Sequence, residues 1–188
     1  MTQTTTLKAA AFASAGGEAE RSETVEAVYT AHKLGPAGGV YLSDLPEVDA
    51  FAHGGLKKDA NYSGKGPVSF GGKSFPKSIL IHVEAAEGGG RSHATYALAG
   101  GLARATRFKA TIGLDDEAGK AGTCTFAVEV LRDGKWERVF ESGVLRGGEP
   151  PQDVDVDLSG ASQLRLVCTD AGDNINSDHA TWAGARVQ

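Results

Sequence analysis

The sequence predicts an all-β fold, a sandwich or barrel of about eight or more antiparallel strands. Short apolar or alternating runs recur along the chain, and Gly, Asp, Asn or Pro bounds each of them. No convincing long helix stands between the runs, and a parallel α/β sheet would need such crossover helices. The runs lie at 40–42, 78–83, 93–98, 107–114, 123–131, 138–141, 154–158 and 163–168.

Alternation within two of these runs predicts which side chains face the core. Successive side chains of a strand point to opposite faces, so every second residue shares a face. Glu129 and Arg165 are therefore expected to face away from the core. The residues expected to face the core are Cys124, Phe126, Val128, Val130, Leu164, Leu166 and Cys168.

Two glycine-containing segments predict tight turns. Asp133-Gly134 is typical of a two-residue hairpin, because both residue types accept the positive φ angles of a primed turn. Trp136 then stands at the start of a strand, near the surface. The segment 71–74, GlyGlyLysSer, resembles part of a phosphate-binding loop. It lacks the preceding glycine at the correct offset, and no helix follows, so it predicts a hairpin or loop.

Composition excludes several classes of function. The chain has 188 residues, enough for one well-buried core. Its net charge of -5 and the absence of a Lys/Arg run argue against a nucleic-acid partner. No stretch approaches the roughly 20 apolar residues of a membrane span, and no signal peptide is visible. Cys124 and Cys168 are expected to be buried thiols and not a bridge or a nucleophile.

The first 39 residues differ in composition from the rest. Ala, Thr, Glu and Ser dominate residues 1–39, which predicts an N-terminal extension or linker with one docked element. Residues 23–32 fit either a helical or a strand period, so periodicity leaves both open. Residues 40–188 are predicted to form the β-sandwich.

Five segments, in order, resemble the NPCBM family of carbohydrate-binding modules. They lie at 41–46, 71–82, 111–119, 141–145 and 153–187. The resemblance implies a galactose-binding-like jelly-roll β-sandwich. It also implies a non-catalytic module that recognises galactose-type or related glycans and accompanies a glycoside hydrolase, in an extracellular or periplasmic setting. Ser78 and Val83 stand where the family commonly has glycine and alanine, and Thr181 stands where it commonly has an acidic residue.

Candidate sugar-binding residues gather near the C-terminus. A sugar hydroxyl both donates and accepts, so carboxylates, Asn and His match it, and an aromatic ring can cover the C–H face of a pyranose. The expected contacts are His82, Asp115, Asp173, Asn174, Asp178, His179 and Trp182.

Each of these residues also has a structural interpretation. For Trp182 a core role is favoured over ligand contact, because buried aromatic residues are common in sandwiches. Asp173, Asn174 and Asp178 could equally serve in Asx turns. His82 ends an apolar strand, and such a histidine is more often packed and bonded to backbone.

Calcium is a further expectation for the same loop. Asp170, Asp173 and Asp178 offer the hard oxygen ligands that calcium prefers, and structural calcium is frequent in galactose-binding-like sandwiches. The spacing is not that of an EF-hand, so any such site would be structural.

Three functional hypotheses result. The leading one is a carbohydrate-binding module; the second is a structural or protein-interaction sandwich that has lost sugar binding, encouraged by the departures near Lys77 and His82. The third, a small glycoside hydrolase, is disfavoured because no separated acid pair can be identified. Asp115 and Asp116 are adjacent and point to opposite sides of an extended chain, so they cannot easily flank one glycosidic bond.

Overall fold

The chain forms two compact units, Met1–Ala37 and Gly38–Gln188, in the computed structural model. The structure describes residues 3–9, 12–14, 19–21, 24–31 and 38–188.

The N-terminal unit contains two antiparallel strand pairs. Strand β1 (Gln3–Ala9) pairs with β4 (Val25–Ala31), and β2 (Phe12–Ser14) pairs with β3 (Ala19–Arg21). The segment whose period fitted both helix and strand therefore contains a strand.

The second unit is a sandwich of two six-stranded antiparallel sheets, which confirms the predicted fold class. In chain order its strands are β5 (Val40–Tyr41), β6 (Asp49–Phe51), β7 (Lys57–Lys58), β8 (Val68–Phe70), β9 (Lys73–Phe75), β10 (Ser78–His82), β11 (Arg91–Ala97), β12 (Arg107–Leu114), β13 (Thr123–Arg132), β14 (Lys135–Glu141), β15 (Leu145–Arg146), β16 (Gln152–Asp157), β17 (Gln163–Thr169) and β18 (His179–Val187).

The front sheet has the order β16-β12-β18-β10-β7, with β5 paired to β18. The back sheet has the order β14-β13-β17-β11-β6, with β15 paired to β13. Strands β8 and β9 form a separate hairpin. In the described part of the chain, no helix is long and apolar enough to cross a membrane.

The core between the sheets contains the side chains that alternation predicted. All seven expected core residues are buried within it, whereas Glu129 makes ion pairs with Arg138 (3.2 Å) and Arg165 (3.7 Å). Trp182 is fully buried, and its ring stands at 75° to that of Phe126, with a centroid distance of 5.3 Å. An aromatic pair in this geometry stabilises a core beyond the area that it buries.

Both predicted tight turns are confirmed. Asp133 and Gly134 have φ angles of 48° and 74°, as a primed turn requires, and they join β13 to β14. Gly71 and Gly72, with φ angles of 58° and 74°, join β8 to β9. Trp136 is 37% exposed and has the Arg165 guanidinium 3.9 Å from its ring centroid.

The two cysteines are free and buried, as expected. Burial raises the pKa of the Cys168 thiol to about 12 and also raises that of Cys124. Neither forms a reactive thiolate at neutral pH. The Sγ atom of Cys168 instead accepts a hydrogen bond from Trp182 Nε1 at 3.3 Å.

The β8–β9 hairpin covers the outer face of the front sheet. Phe70 packs there in a small apolar cluster with Val68, Leu80 and Ala183. Gly113 makes room for it, since a Cβ at this position would lie 2.8 Å from Phe70 Cδ2. The hairpin thus covers the part of this face around Leu80 and Ala183.

We expect Gly113→Ala to lower the free energy of unfolding by about 1–3 kcal/mol, because the new methyl group must displace the Phe70 ring. Gly143→Ala is the matched control, since a Cβ there meets no atom within 4 Å. Urea unfolding of the two variants measures the difference. Equal stabilities would contradict the close packing of Phe70 on the sheet.

Candidate functional site

The candidate site lies at one end of the front sheet, where β10 ends and β18 begins. His82 and His179 are register partners on these neighbouring strands. Asp115 directly follows β12, and its backbone N–H donates to the His179 carbonyl oxygen at 3.1 Å. Three of the predicted site residues are therefore side by side.

These three residues point away from the sandwich core because of the pleat. Ile81, Leu114 and Ala180 belong to the core, so the residues next to them along each strand face outward. Their side chains therefore lie on the outer face of the front sheet, the same face on which the β8–β9 hairpin packs.

Four rings form a cluster at this end of the sheet: His53, Tyr62, His82 and His179, hereafter the ring cluster. The Tyr62 centroid lies 5.1 Å from that of His82 and 4.7 Å from that of His179. His82 is 5.2 Å from His179 and 5.0 Å from His53. His53 is exposed and Tyr62 is half-buried, so the cluster opens toward solvent.

Burial and hydrogen bonding define the protonation of the two buried histidines. Desolvation lowers the pKa of both His82 and His179, which favours neutral imidazoles at pH 7. His82 Nδ1 lies 2.9 Å from the Val83 carbonyl oxygen, which can only accept, so Nδ1 donates there. In the neutral ring Nε2 is then an acceptor, which suits it to a ligand hydroxyl.

Two carboxyl groups border the ring cluster. Asp115 Oδ1 accepts a hydrogen bond from the Ser69 N–H at 2.8 Å, and Glu117 Oε2 accepts one from the Ser63 N–H at 3.1 Å. Burial raises the pKa of Asp115. Desolvation acts in the same direction on Glu117, but the hydrogen bonds from Ser63 outweigh it and lower the pKa of Glu117.

The loop before β18 is held together by its own polar side chains. Asp170 accepts from the backbone N–H of Gly90 (2.7 Å) and Gly172 (3.0 Å). Asp173 accepts from Thr123 Oγ1 (2.7 Å). Asn174 Oδ1 accepts from the Asn176 N–H at 2.9 Å, which is an Asx-turn contact.

The structure does not bring this loop's carboxylates into the ring cluster. Asp178 is fully buried, and its Oδ1 accepts from the Thr123 N–H on β13 of the back sheet at 3.0 Å. Asp173 and Asn174 are exposed on the loop. Trp182 lies in the core with no exposed surface, so we leave it out of the site.

One trio of described His, Cys, Asp or Glu residues is close enough to share a metal ion, namely Asp115, Glu117 and His179. It differs from the predicted calcium trio, Asp170, Asp173 and Asp178. Calcium binding by that loop stays a prediction.

Lys77, next to which the sequence departs from the family pattern, has a structural role at the opposite end of β10. Its ammonium group contacts the carboxylates of Asp44 and Asp59. Although desolvation alone would raise the pKa of Asp59, hydrogen bonds from Lys77, the Ser43 side chain and the Ser78 backbone lower it. Ser78, the position of the departure, begins β10, whereas His82 ends it.

Sequence reasoning missed Tyr62, His53 and Glu117. His53 lies between β6 and β7, Tyr62 lies between β7 and β8, and Glu117 lies in the 3-10 turn after β12. Only residue type could have pointed to Tyr62 and His53, because both are rings among small residues of irregular segments.

The fold and the site define a galactose-binding-like β-sandwich with a polar and aromatic site at one end. The chain belongs to the NPCBM/NEW2 domain family, whose model matches residues 38–188. This confirms the resemblance seen in the sequence. The chain is thus a module of the carbohydrate-binding type, a class that is typically a non-catalytic companion of glycoside hydrolases.

Solved structures of similar domains support this assignment. CBM51 from Clostridium perfringens GH95, in complex with methyl-galactose, is 31% identical, with a TM-score of 0.68 over 80% of this chain and 99% of that domain. The CBM51-2 and INT domains from Clostridium perfringens ZmpB, with GlcNAc bound to CBM51-2, are 27% identical, with a TM-score of 0.65 over 88% of this chain and 34% of that chain.

A curated relative is a much longer protein. It comes from Renibacterium salmoninarum, is named as an endo-alpha-N-acetylgalactosaminidase, and is 32% identical over 174 residues. The match covers 88% of this chain and 10% of that relative.

We expect Asp178 to make stability depend on pH. Burial raises its pKa from 3.8 to about 7, with Asp173 and Asp170 adding to the shift and the Thr123 hydrogen bond opposing it. The folded state then binds this proton more tightly than the unfolded chain, so Asp178's contribution to stability is lost as pH rises from about 4 to about 7.

Urea unfolding in the presence of a chelator, at pH 5 and pH 8, measures this effect. In Asp178→Asn the loss of stability between the two pH values should be smaller than in the wild-type chain. An unchanged loss would contradict a buried, protonated Asp178.

Proposed function

We propose that this chain binds galactose-type glycans, without chemical change to them, at the ring cluster. The observation that carries the proposal is the pair His82 and His179, adjacent at the open end of the front sheet and packed against Tyr62. Neutral imidazoles donate and accept at once, as sugar hydroxyls do.

The surrounding groups complete a sugar-binding surface. Tyr62 is half-buried, and its remaining ring surface can lie against the C–H face of a pyranose. The carboxylates of Asp115 and Glu117 can accept from sugar hydroxyls, and charge-assisted hydrogen bonds of this kind are the stronger ones. Because the site opens toward solvent at His53 and Tyr62, a sugar would bury little area there, and we expect weak binding.

Galactose is the sugar that we favour among those bound by relatives. The 31%-identical domain was solved with methyl-galactose, and its match to this chain covers 99% of that domain. The 27%-identical structure was solved with GlcNAc. Since the longer relative is named as a glycosidase, we also propose that this module accompanies a glycoside hydrolase catalytic domain.

A glycan array of the intact chain, with and without calcium, tests the proposal, followed by calorimetry with methyl-galactoside and GlcNAc. We expect saturable binding with preference for galactose-type glycans. Absence of binding to every glycan on the array would favour the structural or protein-interaction hypothesis.

Substitutions then test the location of the site. Tyr62→Ala and His82→Ala should weaken binding at least about tenfold, because each removes a ligand contact worth a hydrogen bond or a ring face. His93→Ala, in a histidine of the back sheet that pairs with Asp49 at 2.7 Å, is the matched control. Circular dichroism checks folding, and equal losses in all three variants would contradict the assignment.

A further inference from the structure

Asp115, Glu117 and His179 come together from three different parts of the chain. Asp115 follows β12, Glu117 lies in the 3-10 turn Asp116–Ala118, and His179 opens β18. Each residue offers one ligand atom, and these atoms all lie within 4.8 Å of one another. Backbone pairing fixes two of the three positions, since the Asp115 N–H donates to the His179 carbonyl.

Two of these residues carry buried polar atoms that have no hydrogen-bond partner. Asp115 is 1% exposed and His179 is 9% exposed. Asp115 Oδ2 and His179 Nδ1 are both without a partner. Buried polar atoms are nearly always satisfied, so two such atoms in neighbouring residues indicate a missing ligand.

The charges in the trio also favour a cation. Asp115 and Glu117 are like charges at short range, and each repels the ionised form of the other. The Ser69 N–H occupies only Asp115 Oδ1, and Asp115 Oδ2 has no partner. A divalent ion would satisfy Asp115 Oδ2 and remove the repulsion.

The ligand types indicate which cation. An imidazole with two carboxylates is a donor set for zinc and its neighbours in the first transition row, whereas calcium prefers six to eight oxygen atoms. Three protein ligands leave one coordination position open, as in zinc sites that bind water or a further ligand. Glu117 is exposed, so an ion can reach its carboxylate from solvent.

We propose that Asp115, Glu117 and His179 form a binding site for a divalent transition metal ion. The site goes beyond carbohydrate binding, because it requires no sugar. It borders the ring cluster through His179, which belongs to both.

Calorimetric titration of the full chain with Zn²⁺, in the absence of sugar, tests this site. We expect one Zn²⁺ per chain, and at least about a tenfold weaker affinity in Glu117→Gln. This variant changes an exposed side chain and should fold normally. Asp116→Asn is the matched control, since it alters the adjacent exposed carboxylate, which lies outside the trio, and should leave the affinity unchanged.

Co²⁺ provides a second measurement through its visible absorption spectrum. Coordination by His179 and two carboxylates should give d–d bands that are weakened in Glu117→Gln and kept in Asp116→Asn and His93→Ala.

Equal Zn²⁺ affinity in the wild-type chain and Glu117→Gln would overturn the proposal. Loss of Zn²⁺ binding in His82→Gln alone would also overturn it, because the ion would then lie among the histidines. Displacement of Zn²⁺ by equimolar Ca²⁺ would contradict the choice of a transition metal. The carbohydrate proposal is tested by a different readout, the binding of sugar without added Zn²⁺, so the two proposals can fail separately.

Discussion

The burial of Trp182 between the two sheets is the interaction on which the rest of the sandwich depends. Strand β18 pairs with β10, β12 and β5, and its inward residues fill the core. Because the pleat alternates, fixing Trp182 inward also fixes His179 outward, three residues earlier. A one-residue slip would bury His179 and expose the indole, so packing in the core sets the position of the site.

On the outer face of the front sheet, the site lies next to the β8–β9 hairpin. The β8–β9 hairpin packs on Leu80 and Ala183, and Gly113 supplies the space beneath Phe70. Beyond the hairpin, His82 and His179 lie at the end of the sheet, where their ring nitrogens can hydrogen-bond a ligand. The segment that leads into this hairpin supplies Tyr62, which packs against the same apolar cluster.

Much of the sandwich follows from alternation in the sequence, because each long strand has one face in the core. Runs such as 123–131 and 163–168 could therefore be assigned with their faces. Strands of two or three residues, such as β7 and β8, contain too few positions to show a period. The site was predictable only in part, for His82, His179 and Asp115. Tyr62 depends on how a long irregular segment folds back, and no local pattern encodes that.

The central claim is that a sugar binds at the ring cluster, and the most direct measurement is an NMR titration that follows the histidine ring signals as methyl-galactoside is added. Our account predicts that the ring signals of His82 and His179 shift together along one saturable curve, while that of His93 on the back sheet stays in place. Shifts confined to His93 or to the indole of Trp136, or saturable binding with no change at His82 and His179, would contradict it.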